Sequence, residues 1–274
     1  MTGATRLRQA VAVARVELRR ILFSRRSPAL YLVALLPGLL LGARALALAI
    51  QGEQRAPDIA GATTAWAVIY QTFVMRFVIF FGCVGVFGNL IRGDVVDKTL
   101  HYFFLVPVRR DVLLAGRYVA GLIATTLVFC GSVLACLFLL YLPDGRGPAL
   151  EYFTNGPGLA QAGGYLGVTI LACVGYGGLF AVLGIFLRNP SIAAVGVLGW
   201  ESINFLLPAF LKRFSVVYYL QSLCPVPVAE GPLAVIAAPA SPWVAIPGLL
   251  VVTAALLAVG SWKIRRMEIA YTSD

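Results

Sequence analysis

The chain has 274 residues, of which 60% are hydrophobic and only 12% charged, and its mean hydropathy is +0.88. Soluble domains carry about a quarter of their residues as charges, so this composition excludes one and describes an integral membrane protein. The net charge of +10 does not point to nucleic acid, because the basic residues are scattered between apolar runs, where they mark the ends of membrane helices.

The first element is LRQAVAVARVELRRILFS, residues 7–24. At 100° per residue, Arg8, Arg15 and Arg19 share one narrow face, and Leu7, Val11, Ala14, Leu18, Ile21 and Leu22 lie on the opposite flank. The pattern predicts an interfacial helix along a leaflet, with arginines toward headgroups or a partner. Ser27-Pro28 then offers a turn into the membrane, since proline is tolerated at a helix's first position. The apolar run from Pro28 is too long for a signal-peptide core and lacks a small-residue cleavage site, so it is read as a retained span.

Six segments are expected to cross the hydrocarbon, which takes about 20 mostly apolar residues in helical form. They are Pro28 to Ile50, Trp66 to Ile91, Tyr118 to Leu142, Ala160 to Leu187, Ile192 to Phe210 and Trp243 to Trp262. None alternates as a membrane β-strand would, so the expected fold is an all-α bundle. Sixteen lysines and arginines fall on the side of the N-terminus, the second-to-third loop, the fourth-to-fifth turn (Arg188) and the C-terminal tail, against four on the other. The positive-inside bias therefore predicts that both termini are cytoplasmic.

Two charges fall within expected spans, where an ionisable group is costly unless paired or hydrated. Arg76 sits about 22 Å along its helix from Ile91, and Glu201 about 16 Å from Pro190. The depths differ by less than an arginine's reach. A pair facing a pathway, with Gln71, Ser202 and Asn204 as polar neighbours, is one reading. The other has Arg76 snorkelling to outer headgroups and Glu201 packing against a neighbouring helix. Arg44, near the outer end of the first span, is read as a snorkelling residue.

Between the second and third spans lies DKTLHYFFLVPVRRDVLLAGR, Asp97 to Arg117. Asp94 and Asp97 suit the start of a short helix, whose dipole they complement. Thr99 to Val106 is mainly apolar and includes Leu100 and Phe103; Pro107 stops it, and Arg109 to Arg117 leads into the third span. Such an apolar, aromatic hairpin flanked by charges needs a bilayer interface or a second protein to bury it. Asp97, Thr99 and Leu100, then Pro107, Val108, Arg109 and Arg110, then Leu113, Leu114, Gly116 and Arg117 resemble a pattern of the type-2 ABC transporter permeases. Lys98 and Arg109 depart from it, standing where the family often has glycine and serine.

The resemblance implies that this hairpin is the coupling element that docks on a separate ATPase, present in two copies. It further implies a second permease chain, identical or homologous, around a two-fold axis, within the plasma membrane of a bacterium or archaeon. It also implies short re-entrant or outer-surface helices between Lys212 and Pro242, a stretch too rich in proline for another span.

No GxxxxGK[ST] loop occurs, so ATP and magnesium belong to the partner, and this chain is expected to carry no cofactor of its own. Neither HExxH nor GxSxG is present, and the lone His101 cannot supply both a base and a metal site; the chain is not expected to be an enzyme by itself. Five cysteines show neither CxxC spacing nor a metal-ligand pattern. Gly177, Gly178 and Gly184 of the fourth span are read as packing positions. The rival functions are a membrane anchor or assembly subunit without transport, and an ion-coupled carrier using Arg76 and Glu201.

The orientation is directly testable. A single cysteine introduced near Gly52 or Gly147 should react with an impermeant maleimide added outside intact cells, and one at position 97 should not. Outside labelling at position 97 reverses the topology.

Overall fold

Apolar stretches this long, interrupted by few breakers, satisfy their own backbone hydrogen bonds only as helices. The computed structural model describes residues 3–24, 27–51, 58–90, 110–187, 189–203, 208–212, 215–228 and 241–265. Among them the chain is all-helical. Helix α1 spans Gly3–Phe23, and α2 spans Ser27–Gln51. The second long helix runs continuously from α3 (Ile59–Ile69) through a π-helical segment (Tyr70–Ile79) into α4 (Phe80–Phe87). Next come α5 (Arg110–Tyr141), the short α6 (Arg146–Thr154) and α7 (Gly158–Phe186). They are followed by α8 (Pro190–Ile203), α9 (Ala209–Lys212), α10 (Val216–Ser222) and α11 (Pro242–Arg265).

Five of the described helices are long and apolar enough to cross a membrane: α2, the α3–α4 unit, α5, α7 and α11. The expected fifth span, Ile192 to Phe210, is seen in part, because residues 204–207 lie outside the described residues. Helix α8 is described as far as Ile203, 14 residues or about 21 Å. Pro208 lacks an amide hydrogen and disfavours helix in the residue before it. A new turn starts there, with the Pro208 carbonyl accepting from the amides of Leu211 and Lys212 at 2.9 and 3.1 Å.

Helix α7 is the centre. It buries residues around its whole circumference, as a helix enclosed by others must. Small residues let neighbours close in. A side-chain carbon on Gly177 would lie 2.8 Å from the Phe87 ring, and one on Gly121 of α5 2.7 Å from the same ring, so α4 inserts Phe87 between two glycine notches. A Cβ on Gly178 would strike Thr253 of α11, and one on Gly184 the Gly88 carbonyl. Phe80 makes edge contacts with Tyr176 and Phe180 at 5.3 and 5.0 Å. Polar side chains stitch the helices. The Tyr118 hydroxyl donates to the Val174 carbonyl at 3.0 Å, and Ser132 of α5 donates to the Ala34 carbonyl of α2. Peripheral helices turn large apolar groups outward, among them Leu35, Leu39, Leu46, Val251 and Trp243, as a hydrocarbon solvent allows.

Helix α1 packs on the bundle along one narrow face. Its arginines Arg8, Arg15 and Arg19 are exposed as expected, but so are Val11 and Val16. The inward face is Ala10, Val13 and Glu17, and it packs along the first turns of α5. Leu114, Ile185 and Ile264 cluster beside that contact, so α1, the start of α5 and the ends of α7 and α11 share one end of the bundle. At the opposite end, Thr63 meets the hydroxyls of Tyr141 and Tyr152 at 3.0 and 3.3 Å, and the Asp58 amide donates to Asp144.

Gly116 is what admits α1. A Cβ there would stand 2.8 Å from the Ala10 carbonyl oxygen and 3.1 Å from Val13, whereas one on Gly131, about four turns further along α5, would meet nothing within 4 Å. Gly116→Leu should therefore displace α1 and cost about 1–3 kcal/mol, while Gly131→Leu is tolerated. Thermal unfolding in detergent, with proteolysis of α1 as a second readout, separates the two.

Candidate functional site

Two buried polar centres stand out in the apolar bundle. The first lies where the expected coupling hairpin joins it. Arg117, two turns into α5, has no exposed surface. Its Nη1 donates to the Leu90 carbonyl at 2.9 Å, at the end of the second long helix. Its Nε lies 3.9 Å from Oε2 of Glu17 on α1, and Glu17 is also 3.9 Å from Arg20. One guanidinium thus ties α1, α5 and the exit of α4. Arg suits this task because its planar fork presents several donors from a single charge.

Most hairpin candidates fall outside the described residues: Asp94, Asp97, Thr99, Leu100, Phe103, Pro107 and Arg109. Arg110 opens α5, as the proline-stopped pattern predicts for the second half of the hairpin. Gly116 and Arg117, the last residues of the motif, are the ones whose surroundings are seen. Both face α1. Glu17 escaped the sequence reading. Its signal was a lone acid on the side of a basic helix opposite Arg8, Arg15 and Arg19.

The second centre involves the candidate pathway residues. Glu201, 3% exposed, directs its carboxylate at the start of α10: it accepts from the Ser215 hydroxyl and from the amides of Val216 and Val217 at 3.0 and 3.1 Å. Those amides lack helical partners, and the positive end of the helix dipole favours an anion there. Val216 packs on Gly175, halfway along α7. From there α10 runs toward the Gly158 end of α7, where Pro225 fits against Gly164. Gln71, also buried, donates from Nε2 to the Val226 carbonyl at 2.8 Å. Gln71 and Glu201, chosen from sequence as pathway neighbours, hold the two ends of one inserted segment, residues 215–228.

Arg76 is half-buried in the π-helical stretch and lies within electrostatic range of both Glu201 and Tyr176. Ser202 is exposed, and Asn204 lies outside the described residues. Arg44 borders a cavity of about 610 Å³ at the Asp58–Asp144 end, exposed as a snorkelling residue would be. Among the described residues no group of three or more His, Cys, Asp or Glu is placed to hold a metal ion. No family model and no curated protein matches the chain.

The role of Glu201 can be read from graded substitutions. Glu201→Ala strands three donors and should destabilise the bundle by about 2–4 kcal/mol. Glu201→Gln, which keeps one acceptor oxygen, should lose less, and Ser202→Ala almost nothing. Unfolding temperatures of the purified variants test this order; equal values for Glu201→Ala and Ser202→Ala refute it.

Proposed function

We propose that the chain is the membrane subunit of an ATP-driven transporter of the type-2 ABC kind, moving its substrate outward or flipping it from the cytoplasmic leaflet. In this reading the ATPase is a separate chain, two copies of which carry ATP and magnesium. The permease works beside a second permease chain, and both termini are cytoplasmic.

The observation that carries the proposal is the base of the hairpin. Residues 91–109 connect Leu90 to Arg110, where α5 begins, and the Arg117 guanidinium donates to the Leu90 carbonyl. A displacement applied to the hairpin therefore acts on the second long helix, on α5 and, through Glu17, on α1 at once. A loop that only solvated a turn would not need a desolvated arginine at its root, because burying that charge is costly unless it is answered on several sides. The exposed apolar side chains of α8, Ile192, Val195 and Ile203, leave a surface for a second membrane chain.

In the docked complex, Leu100 and Phe103 fill a groove on the ATPase, and Asp97, Arg109 and Arg110 fix the register at its rim. Asp97→Arg, Leu100→Ala and Arg110→Glu should each leave a stable, inserted permease that co-purifies less ATPase and fails to stimulate ATP turnover in nanodiscs. Binding and stimulation at the parent's level in all three variants would sink the coupling role and favour an anchor subunit.

A further inference from the structure

Where α1 turns into α2, a cavity of about 280 Å³ opens between these two helices and α4. Its wall changes character with depth. Beside the α1–α2 turn stand Arg20, Ser24 and Asn89; further in, the wall is Val33, Phe81 and Gly85. Phe81, Gly85 and Asn89 recur every four residues and are all exposed, so they form a stripe about 12 Å long on the outside of the second long helix. At its centre the stripe is hollow: a Cβ on Gly85 would meet nothing within 4 Å. Beyond Phe81 the stripe continues with Phe77, whose ring stacks on Phe81 at 6.5 Å.

An apolar groove that opens sideways from a membrane-spanning helix is solvated by lipid chains. The polar mouth lies at the level of α1, the helix with the exposed line Arg8, Arg15 and Arg19. That line raises the local positive potential, and each basic residue near a surface attracts anionic lipid by about 1 kcal/mol. Glu17 also borders the cavity, but its charge is answered by Arg117 and Arg20. Arg20 keeps 42% of its side chain exposed at the mouth. Cationic and neutral donors at headgroup height above an apolar slot match one amphiphile with an anionic head.

We propose that this cleft binds one anionic phospholipid from the leaflet bordering α1, its phosphate at Arg20 with the second amide hydrogen of Asn89 as a further donor, and one acyl chain in the groove at Gly85. The inference requires only that the helices cross a bilayer, not that the chain transports anything. By filling the angle between α1, α2 and α4, the lipid braces the helix that Arg117 also holds.

Native mass spectrometry of the full chain in detergent, after addition of dioleoyl phosphatidylglycerol or dioleoyl phosphatidylcholine, tests it. One phosphatidylglycerol should be retained at least fivefold more than phosphatidylcholine and should raise the unfolding temperature. Arg20→Gln should bring retention of phosphatidylglycerol down to the phosphatidylcholine level. Gly85→Leu, or Val33→Phe should that variant fold poorly, should lower retention of both lipids without changing the unfolding temperature in detergent alone. Soluble glycerol phosphate should not displace the bound lipid. Equal retention of the two lipids by the parent, undiminished retention in the groove-filling variants, or displacement by glycerol phosphate each overturns the site.

Discussion

A guanidinium with no exposed surface, set where three helical elements meet, governs how one end of this bundle is built. Arg117 must find acceptors inside the protein, because neither water nor lipid will supply them there. It finds the carbonyl of Leu90 and the carboxylate of Glu17. Each acceptor belongs to a different helix. Satisfying one side chain therefore fixes three elements relative to one another, and the notch at Gly116 on the preceding residue lets α1 come close enough for Glu17 to serve.

The same constraint recurs at mid-depth. Residues 215–228 enter the bundle as a short helix whose first amides would be orphaned among apolar neighbours, and Glu201 meets them. At the other end of the segment the chain has left helix, and Gln71 takes up the Val226 carbonyl. Val217 and Leu220 between them are completely buried, so the inserted piece is core rather than covering. An irregular backbone at this depth is tolerated because protein, not lipid, surrounds it.

Much of the architecture was legible in the sequence, since long apolar runs have few alternatives. The expected first, second, third, fourth and sixth spans match helices to within several residues at each end. Of the expected fifth span, the described residues show α8 as far as Ile203 and a further turn of helix at Ala209–Lys212. Gly177, Gly178 and Gly184 serve the packing expected of them. The polar residues Gln71 and Glu201 were found by their cost in hydrocarbon. Their partners were not, since a backbone amide or carbonyl leaves no mark in a sequence. Ser215 was the one available sign, a hydroxyl placed just before a short apolar run, as helix N-caps are.

The π-helical stretch from Tyr70 to Ile79 links sequence length to orientation. Wider turns accommodate more residues than an α-helix would over the same path, so the stretch behaves as a store of slack in the chain. Removing one residue and letting the helix tighten would rotate everything before it by about 100° relative to everything after it. Trp66 and Tyr70, which now meet Tyr165, would swing toward the surroundings, while Phe87 could keep its place between two glycines. Within this segment an insertion or deletion works as a dial on the facing of half a span. Substitutions alone would have to rebuild that half residue by residue.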